Sequence, residues 1–186
     1  MKEFLDFFRN RKPMTRKQLL FKLMSVFIVI FAVAADYITK QIVTRSMELY
    51  EEIPVWNGVF HWKYIQNTGA AFGILKNSRE VFMVISVIAI IVMAVYLVLT
   101  RTENVWWIVG ISLLVGGGIG NMIDRIVLGY VIDFMYVALI DFAIFNVADC
   151  FVCIGVGILL LMTLLDLINE TKAQKTAKKG DSHHDA

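Results

Sequence analysis

Four apolar runs limit what this chain can fold into more than any other feature. They lie at about 19–38, 81–100, 105–123 and 146–168, and each approaches the roughly 20 residues an α-helix needs to cross a bilayer. Backbone polar groups in hydrocarbon must be satisfied within the segment, so such runs are expected to be helices. The stretches between them are too short to hold a soluble catalytic domain. Hydrophobic residues make up 58% of the 186, more than a soluble chain of this length can hide from water. The expected class is therefore a mainly α integral membrane protein, a four-transmembrane-helix bundle forming a single domain over 1–186. The first run is expected to stay in place as a span. It is long, and no small-residue cleavage site leads into a soluble region.

Basic residues orient the spans. Lys2, Arg9, Arg11, Lys12, Arg16 and Lys17 precede the first run; Arg101 lies between the second and third; Lys172, Lys175, Lys178 and Lys179 follow the fourth. Since Lys and Arg collect on the cytoplasmic side, both termini are expected there, with polar, disordered tails at 1–18 and 169–186. The connections at about 41–80 and 124–145 then face outward. In the first, "VFHWKYI" alternates as a strand does, and Asn57-Gly58 reads as a hairpin turn. A small sheet at the outer face is expected, with Trp56, Trp62 and Tyr64 at headgroup depth. No metal site is expected. His61 stands alone, and the other two histidines fall in the closing "GDSHHDA".

Polar residues gather at the outer ends of the runs. "DYITK" carries Asp36 and Lys40, "NTGAAFG" carries Asn67, and "GGGIGNMIDR" carries Asn121, Asp124 and Arg125. "VIDF" carries Asp133, and "FNVADC" carries Asn146 and Asp149. Ionisable groups in membrane segments are costly, so their convergence at one depth suggests a shared site. Each also has a purely structural reading. Asp36 and Lys40 stand i, i+4 and can pair. Asn146 and Asp149 have the spacing of a helix cap, and Asp124 and Arg125 can neutralise each other. Gly116 and Gly120 have the spacing of close helix packing. Asp133 is harder to dismiss, because its neighbours are apolar and disfavour its charged form. Were Asp149 beside it, the two would share a proton as aspartic-protease carboxylates do, one as base toward water and one as acid.

Taken in order, "DYITK", "NTGAAFGIL", "GGGIGNMIDRI", "VIDF" and "FNVADC" resemble the motifs of bacterial lipoprotein signal peptidase, signal peptidase II. The resemblance implies an integral-membrane aspartic endopeptidase of the bacterial cytoplasmic membrane, active near the extracytoplasmic face. It would cut a prolipoprotein just before a cysteine that already carries diacylglycerol. By motif, Asp133 and Asp149 would be catalytic. Asn67, Asn121, Arg125, Asn146, Asp36 and Lys40 would line or brace the site, and Asp124, Gly116 and Gly120 would be structural. A β-cradle is implied over about 46–75 and a short extracytoplasmic helix over about 135–143. No cofactor and no nucleic-acid partner are implied; membrane lipids are, and a monomer is expected. Cys150 stands where serine is common in the family, and the stretch before the first span is longer than usual.

Two other functions compete. A small proton-coupled transporter or channel would also use buried acids and glycines, but its site tends toward the midplane and its sequence toward internal repeats. A thiol oxidoreductase could use Cys150 and Cys153, but it needs an accessible pair and a relay partner. Packing is the expected role of these cysteines.

Overall fold

The computed structural model describes residues 13–69 and 79–181. The N-terminal stretch 1–12, the closing histidines, and the part of the expected cradle and "NTGAAFG" motif at 70–75 lie outside the described residues.

Helix α1 (Arg16–Ser46) opens with a capping box. Thr15 Oγ1 accepts from the Gln18 amide at 3.1 Å, and Gln18 Oε1 accepts from the Thr15 amide at 3.2 Å. The helix thus starts before its apolar run and continues past it. Strands β1 (Glu52–Trp56) and β2 (Phe60–Asn67) follow, then α2 (Arg79–Leu99), α3 (Val105–Val127), β3 (Val131–Tyr136), a 3-10 turn (Ala138–Ile140) and α4 (Val147–Asp181). The segments Arg16–Ser46, Val105–Val127 and Val147–Ala173 are long and apolar enough to cross a membrane, while α2 offers a shorter apolar stretch, Met83–Leu99. Phe27, Ile30, Leu160 and Leu164 point outward and are exposed, as expected of helices whose solvent is lipid.

Helix α3 is the hub, and its glycines are the reason. A Cβ on Gly116 would sit 2.6 Å from Ala32 Cβ of α1, and one on Gly117 would sit 2.5 Å from the Ala148 carbonyl oxygen of α4. At the other end, a Cβ on Gly155 would lie 2.8 Å from the Gly110 carbonyl oxygen. Lipid provides no hydrophobic force between helices, so close backbone contact supplies the packing. Leu97, Ile108, Ile111 and Val115 form the core where α2 meets α3.

The sheet is antiparallel in the order β1-β2-β3. The β1–β2 turn is at Asn57-Gly58 as expected, with Gly58 at φ +71° and the Val59 amide donating to the Trp56 carbonyl at 2.9 Å. The third strand was not foreseen. Val131–Tyr136 pairs along β2 with Ile65 opposite Asp133, so Asp133 lies in a sheet. Val43, Tyr64, Ile132 and Phe134 form a core that seats the sheet on the end of α1. Tyr64 is therefore buried beneath the sheet, whereas Trp56 is exposed.

Two further expectations are corrected. The outer helix at 135–143 reduces to one 3-10 turn, because β3 takes the first residues and Asp141 ends the turn in the left-handed region at φ +47°. The polar stretch after residue 168 is helix through Asp181, not disordered. Its Ala, Lys, Gln and Glu are good helix formers, and no glycine or proline intervenes before Gly180.

Candidate active site

Lys40 lies at the bottom of the site. It is only 2% exposed, yet all three of its ammonium donors are used. Nζ lies 2.7 Å from Asp36 Oδ2, one turn earlier on α1, and 2.9 Å from Asp124 Oδ2 on α3. It also donates to Asn121 Oδ1 at 3.2 Å. A buried ammonium is tolerable only with such complete pairing. The partner of Asp124 is therefore Lys40, not Arg125 as sequence adjacency suggested. Neighbours on a helix point about 100° apart, and Arg125 turns back to donate to the Asn121 carbonyl at 3.3 Å. Asp124 Oδ2 also accepts from the Ile132 amide at 3.1 Å, which fixes where β3 begins.

Asp36 reaches across to α4, where its Oδ1 accepts from the Ala148 amide at 2.9 Å. That amide belongs to the first helical turn, whose donors have no partner within the helix. The same turn is capped from within. Asn146 Oδ1 accepts from the Asp149 amide at 3.0 Å, and Asp149 Oδ2 accepts from the Asn146 amide at 3.1 Å. The cap expected from the spacing is present and reciprocal. A cap alone does not account for these residues, however, because Asn146 is completely buried and faces three acceptors. Its Nδ2 lies 2.7 Å from Asp133 Oδ1, 2.9 Å from Asn121 Oδ1 and 3.3 Å from the Ile132 carbonyl.

Asn146 thus touches both aspartates, one from β3 and one from the first turn of α4. Asp133 Oδ2 accepts from Asn67 Nδ2 at 2.8 Å, and Asp149 Oδ1 accepts from Asn121 Nδ2 at 2.7 Å. Burial, at 2% exposure, pushes Asp133 up to about 7, and the charge of Asp149 adds to the rise; hydrogen bonds from Asn67 and Asn146 oppose it. Both carboxylates line one cavity of about 830 Å³, together with Asn67, Asn121 and Arg125. Asp36, Lys40, Asp124 and Asn146 lie behind its wall. Gly120 lets the wall close up, since a Cβ there would meet Asp36 Oδ2 at 2.6 Å.

Sequence reasoning missed part of the lining. Lys63, Ile65, Tyr136 and Asp141 border the cavity, and so do Cys150 and Cys153. The two-residue period of "VFHWKYIQN" was the available signal for Lys63 and Ile65, which share a strand face with Asn67.

A profile of the family described as Signal peptidase (SPase) II matches residues 28–165. The chain belongs to the signal peptidase II family. It is accordingly a membrane peptidase. Similar proteins include the lipoprotein signal peptidase of Brevibacillus brevis, 43% identical over 134 residues that span 72% of this chain and 90% of that one. That of Streptococcus thermophilus is 40% identical over 134 residues, 72% of this chain and 88% of its own. That of Symbiobacterium thermophilum is 40% identical over 145 residues, 77% and 95%. Among solved structures, a bacterial membrane enzyme determined by the in meso method at 2.3 Å resolution superposes with a TM-score of 0.73. It is 34% identical, and the match covers 78% of this chain and 90% of that one. A second, at 1.9 Å resolution, has a TM-score of 0.69 at 34% identity, covering 76% and 92%.

Proposed function

We propose that this signal peptidase II is an aspartic endopeptidase that removes the signal peptide from diacylglyceryl-modified prolipoproteins, cutting before the lipidated cysteine. The observation that carries the aspartic chemistry is Asn146, hydrogen-bonded to both Asp133 and Asp149 at the wall of one cavity. Asp133, pushed up to about 7, keeps a proton up to near-neutral pH. Asp149 has two N–H donors on its oxygens and lies in the first turn of α4. Asp149 then takes a proton from water as the water attacks the scissile carbonyl, while Asp133 gives its proton to the developing oxyanion; as the intermediate collapses, Asp149 passes the water's proton to the leaving amine and the gem-diol hydroxyl returns a proton to Asp133. Asn67, Asn121 and Asn146 hold both carboxylates in place; Asp36, Lys40 and Asp124 brace the asparagines from behind. Arg125 faces the cavity and binds the substrate.

The reading includes a topology. The chain is one peptidase domain over 1–186, with α2 as a fourth span, both termini cytoplasmic and the sheet and cavity at the outer face of the bacterial inner membrane. It acts as a monomer among lipids. The substrate's acyl chains and signal helix stay in the bilayer while the scissile bond meets the carboxylates at its edge. The test incubates purified protein with a prolipoprotein in diacylated and unacylated forms. Cleavage of the diacylated form alone is expected. Cleavage of neither by well-folded protein overturns the reading.

A further inference from the structure

The cavity is longer than the chemistry at its middle requires, and its two ends differ in character. One end runs down α4 past Val152 and Cys153, among the apolar helices. The other runs out along the sheet, where Lys63, Tyr136 and Asp141 line it. Lys63, Ile65 and Asn67 all line the cavity from β2, across a register shift between Trp62 and Ile65 in its pairing with β3. Asn67 grips Asp133, so this lining begins at the reacting atoms. At about 3.3 Å per residue, Lys63 lies about 13 Å farther out. An extended peptide covers that distance in about four residues. A signal helix held in the bilayer occupies the α4 end, so the residues leaving along β2 belong to the mature lipoprotein.

Lys63 is set up as a fixed cation. Its Nζ sits 2.6 Å from Glu52 Oε2 and 5.1 Å from the centre of the Tyr136 ring, and about a third of the side chain is exposed. Glu52 stands behind it on β1 and outside the cavity lining, with His61 Nδ1 on its other oxygen at 2.5 Å. One carboxylate oxygen occupies one ammonium hydrogen, which leaves donors for a guest. The Tyr136 hydroxyl donates to Asp141 Oδ1 at 2.6 Å. Asp141, which also lines the cavity, thus sets a negative charge beside the same ring and partly offsets the pull of Lys63 on an anion.

We propose that Lys63, with Tyr136 and Asp141, forms a subsite that reads the third to fifth residue of the mature lipoprotein, counting the lipidated cysteine as the first, and that Lys63 favours an acidic side chain there. The proposal rests on the peptidase reading above. The aliphatic part of the guest residue lies against Tyr136, and its carboxylate meets Lys63.

The test uses full-length protein in lipid vesicles and three diacylated prolipoproteins that differ only at the third to fifth mature residues, which are all Asp, all Asn or all Lys. Wild-type kcat/KM should fall in the order Asp, Asn, Lys, with about a three- to tenfold spread, the range of a partly exposed ion pair gained on one side and a like-charge contact on the other. Lys63→Glu should reverse the order, and Asp141→Asn, which keeps Lys63, should widen the wild-type spread. Cleavage of the Asn substrate by each variant shows that it is folded. Should Lys63→Glu fail to fold, the Asp141→Asn ratio decides. Equal wild-type rates on the three substrates, or a spread unmoved by the variants, overturn the subsite and leave the peptidase standing. Cleavage of none of the three by wild type overturns the peptidase reading itself.

Discussion

Asp133 and Asp149 hold different positions in the mechanism, and pH should distinguish them. Burial lifts Asp133 from its ordinary 3.8 to about 7. An acid raised in the folded state favours the fold in its protonated form. Its stabilising contribution is full below 3.8 and is lost as pH rises through about 7. The proposed chemistry also needs that proton, so kcat/KM should decline as pH climbs past about 7. Asn67 donates to the carboxylate and opposes the rise. Asn67→Ala should therefore lower turnover and move the alkaline limb to higher pH. A lowered rate with an unmoved limb would mean that Asn67 acts elsewhere. Asp133→Asn and Asp149→Asn should each cost on the order of 10²–10⁴ in kcat, the usual range for general acid–base groups, with the double variant little worse than either single. Lys40 answers to a different measurement. Lys40→Met leaves Asp36 and Asp124 facing each other unpaired, at a cost of about 3–5 kcal/mol in stability. Adding Asp36→Asn and Asp124→Asn removes both orphaned charges and should restore much of the folded yield. If the triple variant is no more stable than Lys40→Met, charge pairing is not what Lys40 supplies.

At the scale of elements, the helices were legible because apolar length is a local property. So were the Asp36–Lys40 pair and the Asn146–Asp149 cap, whose spacings of four and three residues bring side chains together on any helix. Strand β3 was not legible. Its partner β2 lies 66 residues away at the Asn67–Asp133 contact, and "VIDFMY" alone does not say what it pairs with. Separation along the chain also hid the choice of Lys40 over Arg125 as partner of Asp124. The extension of α4 was hidden by reading polarity as disorder when the composition favours helix. The central position of α3 leads to a prediction. Gly116→Leu should separate α1 from α3, because even a Cβ meets Ala32 at 2.6 Å. Overpacking of this kind costs about 1–3 kcal/mol or more, read as a lower melting temperature in detergent. The cysteines provide another prediction. They line the cavity, yet no step assigned here uses a thiol. Cys150→Ala with Cys153→Ala should keep activity, while a bulky maleimide on the exposed Cys153 should block wild type and spare the double variant. Loss of activity in a well-folded double variant would return the thiols to the mechanism.

At the scale of the whole molecule, the site is a seam. Its parts come from the outer end of α1, the end of β2, the end of α3, β3 and the start of α4. These places fall in three separate stretches of sequence, at 36–40, at 67 and at 121–149, and meet only if the helices alternate in direction. Basic residues at Arg16 and Lys17 at the start of α1, Arg101 between α2 and α3, and Lys172 after the apolar part of α4 all fall at the opposite end from the carboxylates. Lys17 pairs with Glu103 at 3.1 Å, and Gln18 donates to the Arg101 carbonyl at 3.2 Å, so the start of α1 and the α2–α3 connection are at the same end. The positive-inside rule is thus the argument for the proposed topology, in which that end is cytoplasmic and the carboxylate end external. Reporter domains that are active on only one side of the membrane test this directly. One fused after Lys172 should report the cytoplasm, and one inserted at Asn57-Gly58, in the exposed β1–β2 turn, should report the exterior. The insertion adds a loop at a tip that packs against little, so the fold should tolerate it. If both reporters light on the same side, α2 does not complete a fourth crossing. With α1 still crossing, the two termini would then lie on opposite sides and α3 would carry Asp133 across the membrane from Asn67, its partner on β2, so the assignment of Asp133 and Asp149 to cleavage of a prolipoprotein at the exported face would fall with the topology.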